Sequence, residues 1–169
     1  MTATARFALP LLHAGQAQKE MFHNEAVVAI DSLLHPAIVA SDIGTPPAAP
    51  EPGEAWIVGG TPTGDWEART DQIATWTDGG WRFAMPRDGM EAWDESLAQP
   101  VRYRAGAGWQ AGVVLASRVE IGGLQVVGDR GAAIPAPTGG AAIDAEARDA
   151  IVAILAALRT HGLIATDEL

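Results

Sequence analysis

The stretch IATWTDGGWRF, Ile73 to Phe83, sets two tryptophans on either side of a tight-turn signal. Asp78-Gly79 suits a two-residue type I′ turn, whose twist matches that of paired strands. Thr77 then pairs with Gly80, and Trp76 lies across from Trp81 in a non-hydrogen-bonded pair, where side chains approach most closely. A Gly79-Gly80 turn would set Trp76 opposite Phe83 and leave the parity unchanged. In either register Trp76, Trp81 and Phe83 share one face as a structural aromatic hairpin. Such cross-strand aromatic pairs add roughly 0.5–1.5 kcal/mol beyond burial.

The texture around the hairpin agrees with it. All six tryptophans (Trp56, Trp66, Trp76, Trp81, Trp93, Trp109) fall between Glu54 and Gln110, among glycines and short alternating runs. That is the pattern of short strands and turns. A weaker echo, VRYRAGAGWQ (101–110), puts Tyr103 opposite Trp109 across a three-residue loop around Gly106. Two such hairpins suggest a repeated β-unit. Most of these rings are expected to fill a small core. Those left exposed would be flat platforms for sugar rings: Trp66 and Trp109 first, with Tyr103 and Trp93.

Helices flank the module. From about 16 to 35, Phe22, Ala26, Ala29, Ile30 and Leu33 fall on one apolar helical face, and Pro36 stops the helix. AIVAS (37–41) reads as a short strand, and GTPPAAPEPG (44–53) as a Pro-rich connector. Residues 112–131 read as two strands around Gly122-Gly123, with Ile121 opposite Leu124 and Val119 opposite Val126. After a loop, Asp144 is a good N-cap and Glu146 suits the first turn; Arg159 and His161 suit the last, and Gly162 the stop. Ala147, Ile151, Ile154 and Leu158 form a seam of about two heptads with Leu155 beside it. So short a seam is marginal alone and must dock on the β-module or on other copies. The expected class is α+β: an N-terminal helical segment (1–43), a Trp-rich antiparallel β-module (44–111), and a hairpin plus C-terminal helix (112–169) for oligomerisation or anchoring.

Composition narrows the function. A net charge of −10 over 169 residues argues against nucleic acid as a partner. With no cysteine there is neither a disulfide nor a thiolate metal site. No apolar run is long enough to span a bilayer, and Pro10 interrupts the N-terminal apolar patch, so neither membrane insertion nor a signal peptide is expected. The chain reads as made in the cytoplasm. Its TDEL ending means nothing for retention without a signal peptide.

Signals for chemistry are thin. The chain has no phosphate-cradling glycine motif, and none of its serines sits in a nucleophile elbow. Glu20-x-x-His23 is half of a carboxylate-bridged metal motif without its second copy. It is better read as a helix start or subunit contact. Asp88, Glu91, Asp94 and Glu95 surround Trp93; solvation is the first reading of that cluster and a weak Ca²⁺ site the second. A glycosidase built on Asp94 and Glu95 would need the pair about 5–10 Å apart beside a sugar cleft. No catalytic residue, metal or cofactor is expected.

LPLLHAGQAQKEMFHNEAVVAID (9–31), followed by GEAWIVG and TGDWEARTDQIATWTDGGWRFAMPRDGMEAW, resembles a family of unassigned biochemical function. That family recurs in tail-fibre and head-spike proteins of alphaproteobacterial phages, prophages and gene transfer agents. The likeness runs from Leu9 to about Trp109. Its most specific motif is Gln16, Gln18, Lys19 and Glu20 with His23, Asn24 and Glu25. The C-terminal helix is similar to one that closes such virion proteins. One departure is Glu67-Ala68-Arg69, where the family is expected to carry small residues after Trp66. The resemblance implies a virion component, made without a signal peptide and assembled into a phage-like particle. Its partners would be itself (as a trimer or pentamer), other virion proteins and bacterial surface polysaccharide. The alternatives are a structural base anchoring a separate fibre, and a polysaccharide depolymerase.

Overall fold

A computed structural model describes residues 2–13, 19–138 and 144–165, and the chain divides into two compact units, Met1–Val113 and Val114–Leu169. The helical segment 1–43 and the β-module 44–111 thus fall in one unit.

Among its described residues the first unit has eight strands: β1 (Ala37–Ile38), β2 (Ala40–Ile43), β3 (Ala55–Val58), β4 (Ile73–Thr77), β5 (Gly80–Ala84), β6 (Glu91–Asp94), β7 (Gln99–Arg104) and β8 (Gly108–Ala111). They form two four-stranded sheets, ordered β2-β3-β4-β5 and β1-β6-β7-β8. The run expected as one strand is two. The chain changes sheets at Val39, whose N–H donates to the Ala55 carbonyl at 2.8 Å. Within 44–111 every strand pair is antiparallel, as expected, and the sheets become mixed where strands from 37–43 join them. β1 pairs parallel with β6 and β2 parallel with β3. The reason is that both first strands come from the run leaving the helix, not from a hairpin. All other pairs in this unit are antiparallel.

The central hairpin has the expected register, with Trp76 opposite Trp81 and Thr77 opposite Gly80. The Trp76 N–H turns away from Trp81 to the Glu54 carbonyl (2.9 Å), as a non-hydrogen-bonded pair requires. The turn type differs from expectation. A type I′ turn needs positive φ at Asp78 and Gly79, whereas here Gly80 carries it, at +93°. The Thr77 hydroxyl explains the change: it accepts from the Gly79 N–H (3.2 Å) and donates to the Gly80 carbonyl (2.6 Å).

Alternation along β3 and β4 feeds two cores. One face supplies Ala55, Ile57 and Ile73 to a cluster that the other sheet completes with Ile38, Ala92 and Val101. The opposite face supplies Trp56, Val58 and Ala74, with Trp76, Trp81 and Phe83 packed beside them. Trp66 covers this second core from the 3-10 turn Gly64–Trp66, its ring 5.1 Å from Trp81 and 6.3 Å from Trp56.

Helix α1 (Lys19–Leu33) is mounted by its polar side. Buried Asp31 accepts from the Thr4 hydroxyl (2.6 Å) and from the N–H groups of Arg6 (3.0 Å) and Phe7 (2.8 Å). The Arg6 guanidinium donates to the carbonyls of Asp31, Ser32 and His35, closing the end of the helix that no intrahelical partner satisfies. The face expected to be apolar does run along α1, but it points outward. Phe22 is 73% exposed, and Ala26, Ala29, Ile30 and Leu33 are exposed with it.

The second unit holds a hairpin of β9 (Val119–Ile121) and β10 (Leu124–Val127) and helix α2 (Ala145–Thr160). The expected turn is present, with positive φ at Gly122 and Gly123, and Ile121 faces Leu124. Val119 faces Val127 instead of Val126, because an irregularity between Gln125 and Val127 shifts the register. The Asp144 carboxylate caps α2 by accepting from the Ala147 N–H at 2.9 Å. Beyond α2, Gly131 makes backbone bonds to Leu163 and Ala165.

Candidate functional site

The four aromatic platform candidates separate by exposure. Trp66 is corrected outright: it is 0% exposed and cannot meet a ligand. Its loop turns inward because the open side of the Trp56–Trp81 pair needs a cover and Trp66 supplies one. Of Glu67-Ala68-Arg69, the arginine reaches that packing, its guanidinium 4.6 Å from the centre of the Phe83 ring. Tyr103 and Trp109 are half-buried and face each other as expected, with ring centres 5.5 Å apart. The Trp109 indole N–H is spent on the Asp71 carbonyl at 2.8 Å. Its ring walls a cleft with Ser41, Asp42, Gly59, Gly60 and Asp71. Trp93, on the opposite face of that sheet, is 45% exposed.

Trp93 is fixed from both sides. Its neighbours Ala92 and Asp94 are buried, and its N–H donates to the Pro36 carbonyl at 2.9 Å. On the outer face it stands opposite Pro100, and one pair along Glu91 stands opposite Arg102. The Arg102 Nε donates to Glu91 Oε1 at 2.7 Å. His35 and Pro36 close one side of the groove beside Trp93.

The acidic loop does not act as one cluster. Asp94 is 0% exposed, and its carboxylate accepts from the Ser41 hydroxyl (2.6 Å), the Ser96 hydroxyl (2.7 Å) and the Leu97 N–H (3.0 Å). Burial alone would raise its pKa. The donors outweigh that effect and hold the carboxyl below its ordinary value. Asp88 accepts from the Ala105 N–H and Glu91 pairs with Arg102. Among the described residues no group of three or more His, Asp or Glu side chains gathers where it could hold a metal ion. A hydrolase using Asp94 would find it out of a substrate's reach, because its oxygens serve the turn that follows β6.

The motif behind the resemblance has a mounting role where it is visible. Gln16 and Gln18 lie outside the described residues, as does the Lys19 side chain. Asn24 brackets Leu12, accepting from its N–H (2.9 Å) and donating to its carbonyl (3.0 Å). Glu25 meets Arg82 of β5 through two hydrogen bonds, at 2.8 and 2.7 Å. Hydrogen bonding from Arg82 holds the Glu25 carboxyl below its ordinary value. His23 is exposed, and Glu20 is half-buried. The reading of the sequence missed Asp31, Thr4 and Arg6. The available signal was one carboxylate inside the apolar run AVVAIDSLL.

Two apolar surfaces stand uncovered, one in each unit. The first is the α1 face described above. The second runs through 114–165, where the buried hydrophobics among the described residues are Leu155 and Ile164. Leu155 turns inward, beside the expected seam. Of the seam, Ala147, Ile151 and Ile154 are exposed and Leu158 is half-buried. Ile121 and Leu124 at the hairpin turn are 66% and 73% exposed. No helix among the described residues is long and apolar enough to cross a membrane.

A family model described as "Protein of unknown function (DUF2793)" matches residues 23–110, just over half of the chain and most of the two-sheet unit. No curated protein matches the chain.

Proposed function

We propose that this chain, which belongs to the DUF2793 family, is a non-catalytic attachment component of a phage-like particle, of the tail-fibre or head-spike kind. Copies join through 114–169, and 1–113 makes the contacts with polysaccharide on the bacterial surface.

One observation carries this reading. Residues 114–165 hold a capped helix and a well-turned hairpin, yet leave Ile121, Leu124, Ile151 and Ile154 in water. Uncovered apolar surface on that scale belongs to an interface. A seam of short repeat on α2 suits a like helix from another copy. The particle context comes from the resemblance of 9–109 and of the closing helix to spike and fibre proteins. Oligomeric presentation also suits weak sugar contacts, since linked sites turn individually poor affinity into firm adhesion. The outward face of α1 favours a second reading, a structural base on which a neighbouring virion protein docks.

Light scattering with mass determination at micromolar concentration tests the assembly. A defined oligomer is expected, and the double change Ile151→Asp, Ile154→Asp should reduce it to monomer while 1–113 stays folded. Monomeric wild-type chain at that concentration overturns the assembly.

A further inference from the structure

We infer that the outer face of β6 and β7 at Trp93 is a subsite for one pyranose ring carrying equatorial hydroxyls. This rests on the attachment reading and deepens it by naming a surface and a sugar geometry.

The face offers what such a ring needs. An equatorially substituted pyranose presents axial C–H bonds above and below and a belt of hydroxyls around its rim. Trp93 and Pro100 supply the apolar floor. They form a non-hydrogen-bonded pair, because the Trp93 N–H points to Pro36 on the other side, and this brings their side chains close. Pro100 can stand there without breaking the ladder: β7 pairs with β8 only from Val101 onward, so no partner awaits a Pro100 N–H. The rim is polar. Glu91 and Arg102 are next in register on the same face, both part-exposed and locked to each other. The carboxylate accepts from hydroxyls and the guanidinium donates to ring or hydroxyl oxygens. His35 borders the groove on the other side, and the Arg6 guanidinium holds its carbonyl at 2.9 Å. Floor and rim therefore sit on rigid backbone.

Patch size separates this surface from the two larger ones. The apolar floor here is two exposed side chains, Trp93 and Pro100, with Glu91 and Arg102 next to them on the same face. A stable protein interface covers about 800 Å² per partner. Trp93 is therefore matched to a saccharide, whereas the α1 and α2 faces are matched to protein.

The test is titration of the intact chain with cellohexaose, every ring of which is equatorially substituted, followed by the indole N–H resonances in nuclear magnetic resonance. The Trp93 indole signal should shift in a saturable way while that of buried Trp66 stays still. Trp93→Ala should weaken binding by at least about tenfold, and Glu91→Gln should weaken it less. Neither should lower the thermal midpoint appreciably. A Trp93 signal indifferent to cellohexaose overturns the subsite, as does binding that survives Trp93→Ala. A Trp93 signal that responds to protein concentration instead makes this face a contact between copies, which also overturns it. Oligomer mass is read separately: a silent Trp93 in an intact oligomer removes the subsite alone, and a responsive Trp93 in a monomer removes the assembly alone.

Discussion

The two units of this chain solve the burial problem in opposite ways. In 1–113, alternation along β3 and β4 sends side chains into two separate cores, and even a loop tryptophan is drawn in to cover the second. In 114–165, local structure is just as well specified by cap, turn and seam, yet among the described residues few side chains leave solvent. Local propensity fixes elements; only layered packing fixes a domain. The first unit has two layers and the second has one face waiting for another.

Separating the halves breaks this comparison most directly. Residues 1–113 expressed alone should remain folded and unfold in one cooperative transition. Residues 114–169 alone, at concentrations too low for association, should show no cooperative thermal transition by circular dichroism. A sharp transition in dilute 114–169 would mean that this unit closes its own core and that the contrast is false. Next in size, Trp66→Ala should cost about 3–5 kcal/mol, since it empties a fully enclosed site under Trp56 and Trp81. Trp93→Ala should cost under about 1 kcal/mol by chemical denaturation. Equal losses at the two sites would show that exposure does not sort these rings.

What could be read from the sequence follows the same division. The hairpin at 73–83 was legible because strand parity is insensitive to the exact turn: Trp76, Trp81 and Phe83 share a face even though Gly80, not Asp78 and Gly79, carries the positive φ. The cap on α2 was legible because its partner is three residues away. Trp66 was misplaced because a loop ring has no periodicity, and its burial depends on rings at 56 and 81 that only the fold brings near. The orientation of α1 was out of reach for a different reason. A helical stripe of apolar residues ordinarily marks the inward side. Here Asp31, Arg6 and Thr4, up to 27 residues apart, fasten the polar side instead. Trp93 stood among the platform candidates, but its pairing with Pro100 rests on the β6–β7 register, which sequence alone did not supply.

Asp94 gives the sharpest test, because it ties the sheets of 1–113 through a buried carboxylate. Its donors include Ser41 of β2, in one sheet, while Asp94 itself ends β6 in the other. Hydrogen bonds to the ionised form depress its pKa on folding despite burial. The sign follows. Its stabilising effect is complete above the unfolded value of about 3.9 and is lost as pH falls through the lower folded value. Asp94→Asn should therefore cost about 1–3 kcal/mol at neutral pH, the range for losing charged hydrogen bonds. The gap between variant and wild type should narrow below about pH 4, measured by urea unfolding of 1–113 across the acid range. A gap that stays constant down through pH 3 would mean that Asp94 acts by shape and not by charge.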